Sequence, residues 1–313
     1  MGRAESVSFI EYLNAKRAID DRSLNRHVLT ALRGELQTRS ADPRMKVLEL
    51  GSGIGTMITR LLDWEVLPST DYTALDIDPD LIKAARRRLG RYALKHSLMP
   101  GCGLARQILL HSKDVEVSVD FTVSDALEFC RREHSQEAYD LLIAHAFLDL
   151  LDLPSAIPVL LAALKPSGLL YFTLVFDGIT HFEPPLDPQM DTFIEELYHR
   201  TMDARIVDGI PSGDRYSGRH LLGELMKNGV EIVAAGASDW IVHPESGTYD
   251  GDDALFLRYI LATIEGALST QDELDQEKFS HWLQKRRAQI ESGELIYIAH
   301  QIDVLGRRSP LEG

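Results

Sequence analysis

Residues Met45–Gly55 read Met-Lys-Val-Leu-Glu-Leu-Gly-Ser-Gly-Ile-Gly, and this stretch decides the fold. Met45–Leu50 is a short apolar strand. It runs directly into three glycines at alternate positions, Gly51, Gly53 and Gly55. Thr56–Trp64 then carries apolar residues at helical spacing. A strand that turns through glycine into a helix is the first half of a βαβ unit. Bulky side chains in such a turn would block close approach of a ligand to the backbone, and some of its residues need positive φ.

The same alternation continues outward. Tyr72–Asp76 is a second strand, and Asp78-Pro79 opens a helix that runs to about Leu94, because an acidic cap followed by proline in the first turn is a start signal. Val115–Thr122 alternates and is β-branched, so it is a third strand. Ala126–His134 is helical, Tyr139–His145 is a fourth strand, Ile157–Leu164 a helix, and Leu169–Phe176 a fifth strand after the Pro166-Ser167-Gly168 turn. This pattern predicts a doubly wound, mostly parallel Rossmann-like α/β sheet with helices on both faces. Residues 97–113 are hard to read, with a break at Gly101-Cys102-Gly103. Upstream, residues 6–37 predict one broken or two short helices, ended by Ala41-Asp42-Pro43, so residues 1–42 form a helical extension of a domain spanning 43–313. Downstream, Asp177-Gly178 opens an insertion over 177–229, long enough for a lid, with helices at Asp187–Asp203 and Gly218–Asn228. Glu231–Ala235 and Trp240–Val242 read as strand. Asp253–Leu268 and Leu274–Ser292 are long amphipathic helices within 251–292, and Leu295–Val304 is a final strand.

Composition narrows the function. The chain has 313 residues, 44% of them hydrophobic, which is enough for a real core. Lys plus Arg is 33 and Asp plus Glu is 48, a net charge of −15. A nucleic-acid surface needs a basic stripe to displace counterions, so broad nucleic-acid binding is not expected. The two cysteines, Cys102 and Cys130, make neither a disulfide framework nor a C-x-x-C zinc site. With no apolar signal near the start and no apolar run near the ~20 residues that span a bilayer, the expectation is a cytoplasmic protein without a membrane partner. Met1-Gly2 with Ser6 fits the N-myristoylation pattern, a pattern short enough to arise by chance.

The glycine-rich turn selects the ligand class. A dinucleotide turn reads G-x-G-x-x-G, and here the third of those positions is Thr56. Glu49 stands two residues before Gly51, where its carboxylate would repel a pyrophosphate. A nucleoside with an amino-acid tail suits the turn better, and a nicotinamide oxidoreductase is the weaker alternative. At this point the sequence resembles the class I S-adenosylmethionine-dependent methyltransferases. Val47–Gly55 is similar to their first motif, and Tyr72–Pro79 to their second-strand motif. Val123-Ser124-Asp125-Ala126 resembles the third, Tyr139–His145 the fourth, and Ala163–Leu169 the turn before the fifth strand. The resemblance covers roughly residues 43–178, and the family's sixth and seventh strands fit Glu231–Val242 and Leu295–Val304. It implies a seven-stranded sheet, S-adenosylmethionine as cofactor and methyl transfer to a small-molecule acceptor. It also implies a cofactor site of Glu49, Gly51, Gly53, Gly55, Asp76, Ile77, Asp125, Ala126 and His145, with Asp76 on the ribose hydroxyls and Asp125 near the adenine amino group. A non-catalytic cofactor-binding protein is the third reading.

On the acceptor side, His145 ends the fourth strand, where α/β sheets bind ligands. It reads either as a general base or as a structural residue. His181 and Glu183 follow the fifth strand and are expected over the same crevice, with loop solvation as their alternative. Asp78 and Asp125 each read as helix cap or ligand. Asp239-Trp240 and His300-Gln301-Asp303 are polar groups in strand-like runs, expected to form a structural network. Tyr12, Lys16, Arg22 and Asn25 either close over the ligand or form a solvated helix face, and Arg86-Arg87-Arg88 reads as solvent-facing. The residues after the fourth strand, Ala144-His145-Ala146-Phe147, lack the Pro-Pro-aromatic turn of enzymes that methylate bases, and no acidic pair is set for a metal.

Overall fold

The computed structural model describes residues 8–39, 44–96, 98–101, 107–111, 115–132, 135–207 and 209–310. The readings of Gly2 and Ser6, the Ala41–Pro43 turn, Cys102 and His134 fall outside them. In chain order the elements are α1 (Phe9–Ser23), α2 (Arg26–Gln37), β1 (Met45–Leu50), α3 (Thr56–Asp63), β2 (Thr70–Asp76), α4 (Pro79–Lys95), β3 (Met99–Gly101), β4 (Gln107–His111), β5 (Glu116–Val123), α5 (Ala126–Arg131), β6 (Tyr139–His145), α6 (Leu153–Ala163), β7 (Leu164–Glu183), α7 (Pro188–Asp203), β8 (Ile206–Val207), β9 (Ile210–Pro211), α8 (Ser217–Lys227), β10 (Val230–Ala237), β11 (Trp240–Val242), α9 (Asp253–Leu268), α10 (Gln276–Glu291) and β12 (Ile296–Arg308).

The main sheet runs β10-β12-β7-β6-β1-β2-β5-β4-β3, with β11 on β12. Its centre, β5-β2-β1-β6-β7, is wholly parallel, as the strand–helix alternation predicts. Parallel strands are buried on both faces. On β1, Val47 packs under α2, α3 and α4, while Leu48 and Leu50 pack under α5, α6 and α8. Among the described residues the expected seven strands are present, and three more join them. β3 and β4 form an antiparallel edge within the stretch that could not be read, and β11 is separate from β10.

Two boundaries of the fifth strand are corrected. β7 begins at Leu164, not Leu169, so Pro166-Ser167-Gly168 is a bulge within the strand rather than a turn before it. β7 does not end at Phe176 but continues to Glu183, so Asp177-Gly178 is no turn and the helical insertion starts only after that strand. The extended parts of β7 and β12 pair as a ribbon, His181 against Ile298 and Phe182 against Tyr297. With β11, this ribbon carries a second hydrophobic core beneath α1, α7, α9 and α10, built on Ile19, Leu197, Phe256, Trp282 and Tyr297. The two cores meet where β7 bulges. Leu174 adopts φ 54°, a left-handed conformation that a non-glycine residue keeps only when its surroundings over-determine it. Its N–H donates to the fully buried Asp303 carboxylate at 2.8 Å, and that carboxylate also accepts the Asn25 N–H at 2.8 Å. Asp303 is thus the structural group expected of it, and it fixes the start of α2 as well as the bulge. Replacing it by alanine strands two N–H groups and should cost about 2–5 kcal/mol, read as a lower urea midpoint with an unchanged slope. A loss under about 0.5 kcal/mol, the range of ordinary surface substitutions, contradicts this role.

Candidate functional site

The carboxyl ends of β5, β2, β1 and β6 lie side by side, and most of the expected cofactor residues come together there. Gly51, Gly53 and Gly55 all take positive φ, at 62°, 53° and 73°. At Gly51 a Cβ would also lie 2.5 Å from the Phe147 ring, so both conformation and space demand glycine. Asp76 closes β2 and is buried. Its Oδ2 accepts the Gly53 N–H at 2.8 Å and its Oδ1 accepts the Asp78 N–H at 2.9 Å. Burial raises its pKa, and those two N–H groups oppose the rise. Asp78 is the cap of α4. Asp125 caps α5, accepting the Glu128 N–H at 2.7 Å, so the cap reading of Asp125 is realised. At the ends of β2 and β5, Ile77 is 70% exposed and Val123, the register partner of Asp76, 50% exposed. Ala126, the first residue of α5, is buried.

Glu49 is buried on the α3 side of the sheet and accepts a 2.8 Å hydrogen bond from the Tyr72 hydroxyl. Burial pushes its pKa up to about 8, against the Tyr72 bond and the charge of Arg60. A carboxyl so placed is largely protonated at neutral pH and would ionise on meeting a cation.

His145 has a different setting from the one a general base needs. Its Nε2 lies 3.0 Å from Asp20 Oδ2, and its Nδ1 lies 2.8 Å from Thr173 Oγ1. Arg60 Nη1 also lies 3.3 Å from Nε2. The Asp20 carboxylate is nearer and cannot donate, so the proton sits on Nε2, Arg60 stands beside it without a hydrogen bond, and the Thr173 hydroxyl donates to Nδ1. Both ring nitrogens are engaged. Burial, with Lys16 and Arg60 nearby, pushes the imidazole down to about 3. A general base works best with a pKa near the operating pH, so the structure favours the structural reading of His145.

The centre of this cluster is Asp20 on α1. Its Oδ2 accepts from Lys16 Nζ at 2.7 Å and from His145, and its Oδ1 accepts from Trp240 Nε1 at 3.0 Å. Arg60 Nη2 stands 3.8 Å away. Although burial works against it, Lys16, His145 and Arg60 hold the Asp20 carboxyl well below the usual carboxylate range. α1 is therefore no solvated extension: Lys16 is buried, and Tyr12 stacks on Tyr259 at 4.0 Å. Leu13 lies over Gly53, so α1 roofs the glycine turn. Arg22 and Asn25 have structural partners instead, Asp253 at 2.5 Å and the cap of α2.

His181 and Glu183 are not in the crevice. His181 lies eight residues along β7 from Thr173, the partner of His145, or roughly 25 Å of strand. There it bonds Glu183 at 3.2 Å and Glu195 of α7 at 3.3 Å, tying α7 to the ribbon. Their assignment as catalytic residues follows from ending the fifth strand at Phe176, and it falls with that boundary. His300 bonds Asp239 at 2.7 Å, as expected of a structural network.

A structure of loganic acid methyltransferase with SAH matches over 99% of this chain and 98% of its own, at 13% identity and a TM-score of 0.52. This chain has the class I S-adenosylmethionine-dependent methyltransferase fold. Other methyltransferase-fold structures align less well. The cyclopropane synthase MmaA2 of Mycobacterium tuberculosis covers 97% of this chain and 100% of its own, at 9% identity and a TM-score of 0.43. Geranyl diphosphate C-methyltransferase of Streptomyces coelicolor A3(2) covers 89% and 78%, at 10% identity and 0.42. No family model matches the sequence, and no curated protein matches it.

The His145 assignment has a direct check. In an NMR titration its ring should stay neutral from pH 8 to pH 5, while exposed histidines titrate near ~6.5. A His145 midpoint between 6 and 7, identified by its loss in His145→Gln, contradicts the arrangement.

Proposed function

We propose that this chain is a methyltransferase (EC 2.1.1.-) that binds S-adenosylmethionine across the ends of β1, β2 and β5 and methylates a small-molecule acceptor in the cytoplasm. The observation that carries this reading is the combination at the end of β2: a buried carboxylate at Asp76, tied to the glycine turn, beside the exposed Ile77 and Val123. A ribose offers hydroxyl donors to such a carboxylate, and a purine offers a flat apolar face to such a pair. Covering aliphatic surface gains roughly 25 cal/mol per Å². The bound cofactor would supply an electrophilic methyl group already activated by the positive sulfur.

The chain's own residues then have three tasks. Asp76 and the Gly51–Gly55 backbone hold and orient the nucleoside. Glu49 supplies a carboxyl that ionises when a cation arrives. α1 and the helices over the ribbon cover the crevice and exclude water, which places the acceptor in line; positioning of this kind can supply roughly 7–11 kcal/mol of a barrier. His145 holds α1 to the end of β6 and moves no proton. A nucleic-acid acceptor does not fit the acidic chain, and no described helix is long and apolar enough to cross a membrane.

Two outcomes test the reading. Asp76→Ala should weaken S-adenosylmethionine binding about 10–100-fold, the loss of charged hydrogen bonds worth ~1.5–3 kcal/mol, with circular dichroism unchanged. Equal affinity of variant and wild type in calorimetry counts against it. Binding at pH 7 should also release a proton from Glu49, because a raised carboxyl pKa falls when positive charge arrives. Calorimetry in buffers of different ionisation enthalpy measures this. The release should vanish above pH 9, where Glu49 is already ionised, and in Glu49→Gln. A release that persists in Glu49→Gln assigns the proton elsewhere.

A further inference from the structure

Past His145 the chain makes a single 3-10 turn, Leu148–Leu150, that carries Asp149. Facing it, just after α7, is Arg205. Each presents an atom shielded from water that makes no hydrogen bond among the described residues: Asp149 Oδ1 and Arg205 Nη1. The two groups sense each other, since the guanidinium favours the ionised form of Asp149 against the burial that raises its pKa. Even so, no hydrogen bond joins them. Buried polar atoms in folded proteins nearly always have partners, so a matched pair left open, one anionic and one cationic, calls for a ligand.

The placement is built in. The Ser212 N–H donates to the Arg205 carbonyl at 2.9 Å, and Ser212 Oγ donates to the Leu150 carbonyl at 2.5 Å. Gly213, at φ 74°, packs so tightly that a Cβ would lie 2.0 Å from the Asp149 carbonyl oxygen. The β8–β9 hairpin is thereby folded back on the turn, and it fixes Arg205 and Asp149 together. Nearby, Tyr198 and Tyr12 pack against the second core, with Tyr12 stacked on Tyr259 at 4.0 Å. The charges of Arg205 and Asp149 both act on the Tyr198 hydroxyl. Lys16 also senses Asp149, but its ammonium is taken by Asp20.

A ligand with only a carboxylate would leave Asp149 unpaired, and one with only an ammonium would leave Arg205 unpaired. A zwitterion satisfies both and brings no net charge to this half-buried pair. We propose that the acceptor is a free amino acid or close analogue, its carboxylate held by Arg205 and its ammonium by Asp149, and that a lone pair on its side chain takes the methyl group while the sulfonium sulfur leaves with the bonding electrons; the protonated, ion-paired amine has no lone pair to attack with. This deepens the methyl-transfer reading and rests on it.

The test uses the full chain loaded with S-adenosylhomocysteine, the loading verified by calorimetry for every variant. Saturation-transfer NMR then reads binding from three pools: the standard amino acids, their amides and their N-acetyl derivatives. The expected result is binding from the first pool, with the amide and N-acetyl counterparts of its members at least ~10-fold weaker, since each lacks one charge-assisted contact. Arg205→Ala should erase the preference for free acid over amide while keeping that for free amine over N-acetyl. Asp149→Asn, nearly isosteric, should do the reverse. Equal binding of the three pools, no binding from the first pool, or a preference unchanged in both variants overturns the proposal while leaving the cofactor reading in place. Failure of the wild-type chain to take up S-adenosylhomocysteine overturns the cofactor reading and this inference together.

Discussion

The Asp20 carboxylate is the contact on which the site's architecture depends. It lies on α1, yet its partners come from four places: Lys16 of the same helix, His145 at the end of β6, Trp240 of β11 and Arg60 of α3. Burying a carboxylate costs several kcal/mol unless it is paired and hydrogen-bonded. Removing α1 would strand His145 and the Arg60 guanidinium in apolar surroundings. The helix is therefore part of the crevice wall, and the glycine turn beneath Leu13 is shaped against it.

A second constraint sets where the wall stands. β7 and β12 outrun the parallel sheet, and the bulge at Leu174, held by Asp303, marks the change from one core to the other. On one side is the doubly wound sheet, with the proposed cofactor site at its strand ends. On the other is a ribbon clad by α1, α7, α9 and α10. The proposed acceptor groups draw on both: Asp149 follows β6, and Arg205 follows α7. The proposed cofactor residues come from the strand ends of the first unit.

The parallel sheet was legible because its signals are local: glycine where φ is positive, an acid closing β2, proline after a cap. Gly51, Gly53, Gly55, Asp76, Ile77 and Ala126 sit where those signals put them. The rest depended on tertiary packing. Lys16 and Asp20 are an i, i+4 pair, which in sequence reads as a solvated ion pair; only the stacking of Tyr12 on Tyr259 and the cover of Trp240 show that they are buried. Asp177-Gly178 reads as a turn, but here Gly178 takes positive φ inside a strand bulge, and that displaced His181 and Glu183 from the crevice in which they were expected. Asp149 and Arg205 carry no local signal at all. They lie 56 residues apart in sequence, by subtraction of their numbers, and meet only because the β8–β9 hairpin folds back.

The central claim is that the crevice at the ends of β1, β2 and β5 is a nucleoside site shaped for S-adenosylmethionine. The most direct measurement is a crystal structure of the full chain grown with S-adenosylhomocysteine and an equal concentration of NAD. Density for S-adenosylhomocysteine with its ribose on Asp76 and its adenine against Ile77 and Val123 is the predicted result. Density for the dinucleotide in that crevice, or for S-adenosylhomocysteine bound away from Asp76, would contradict it.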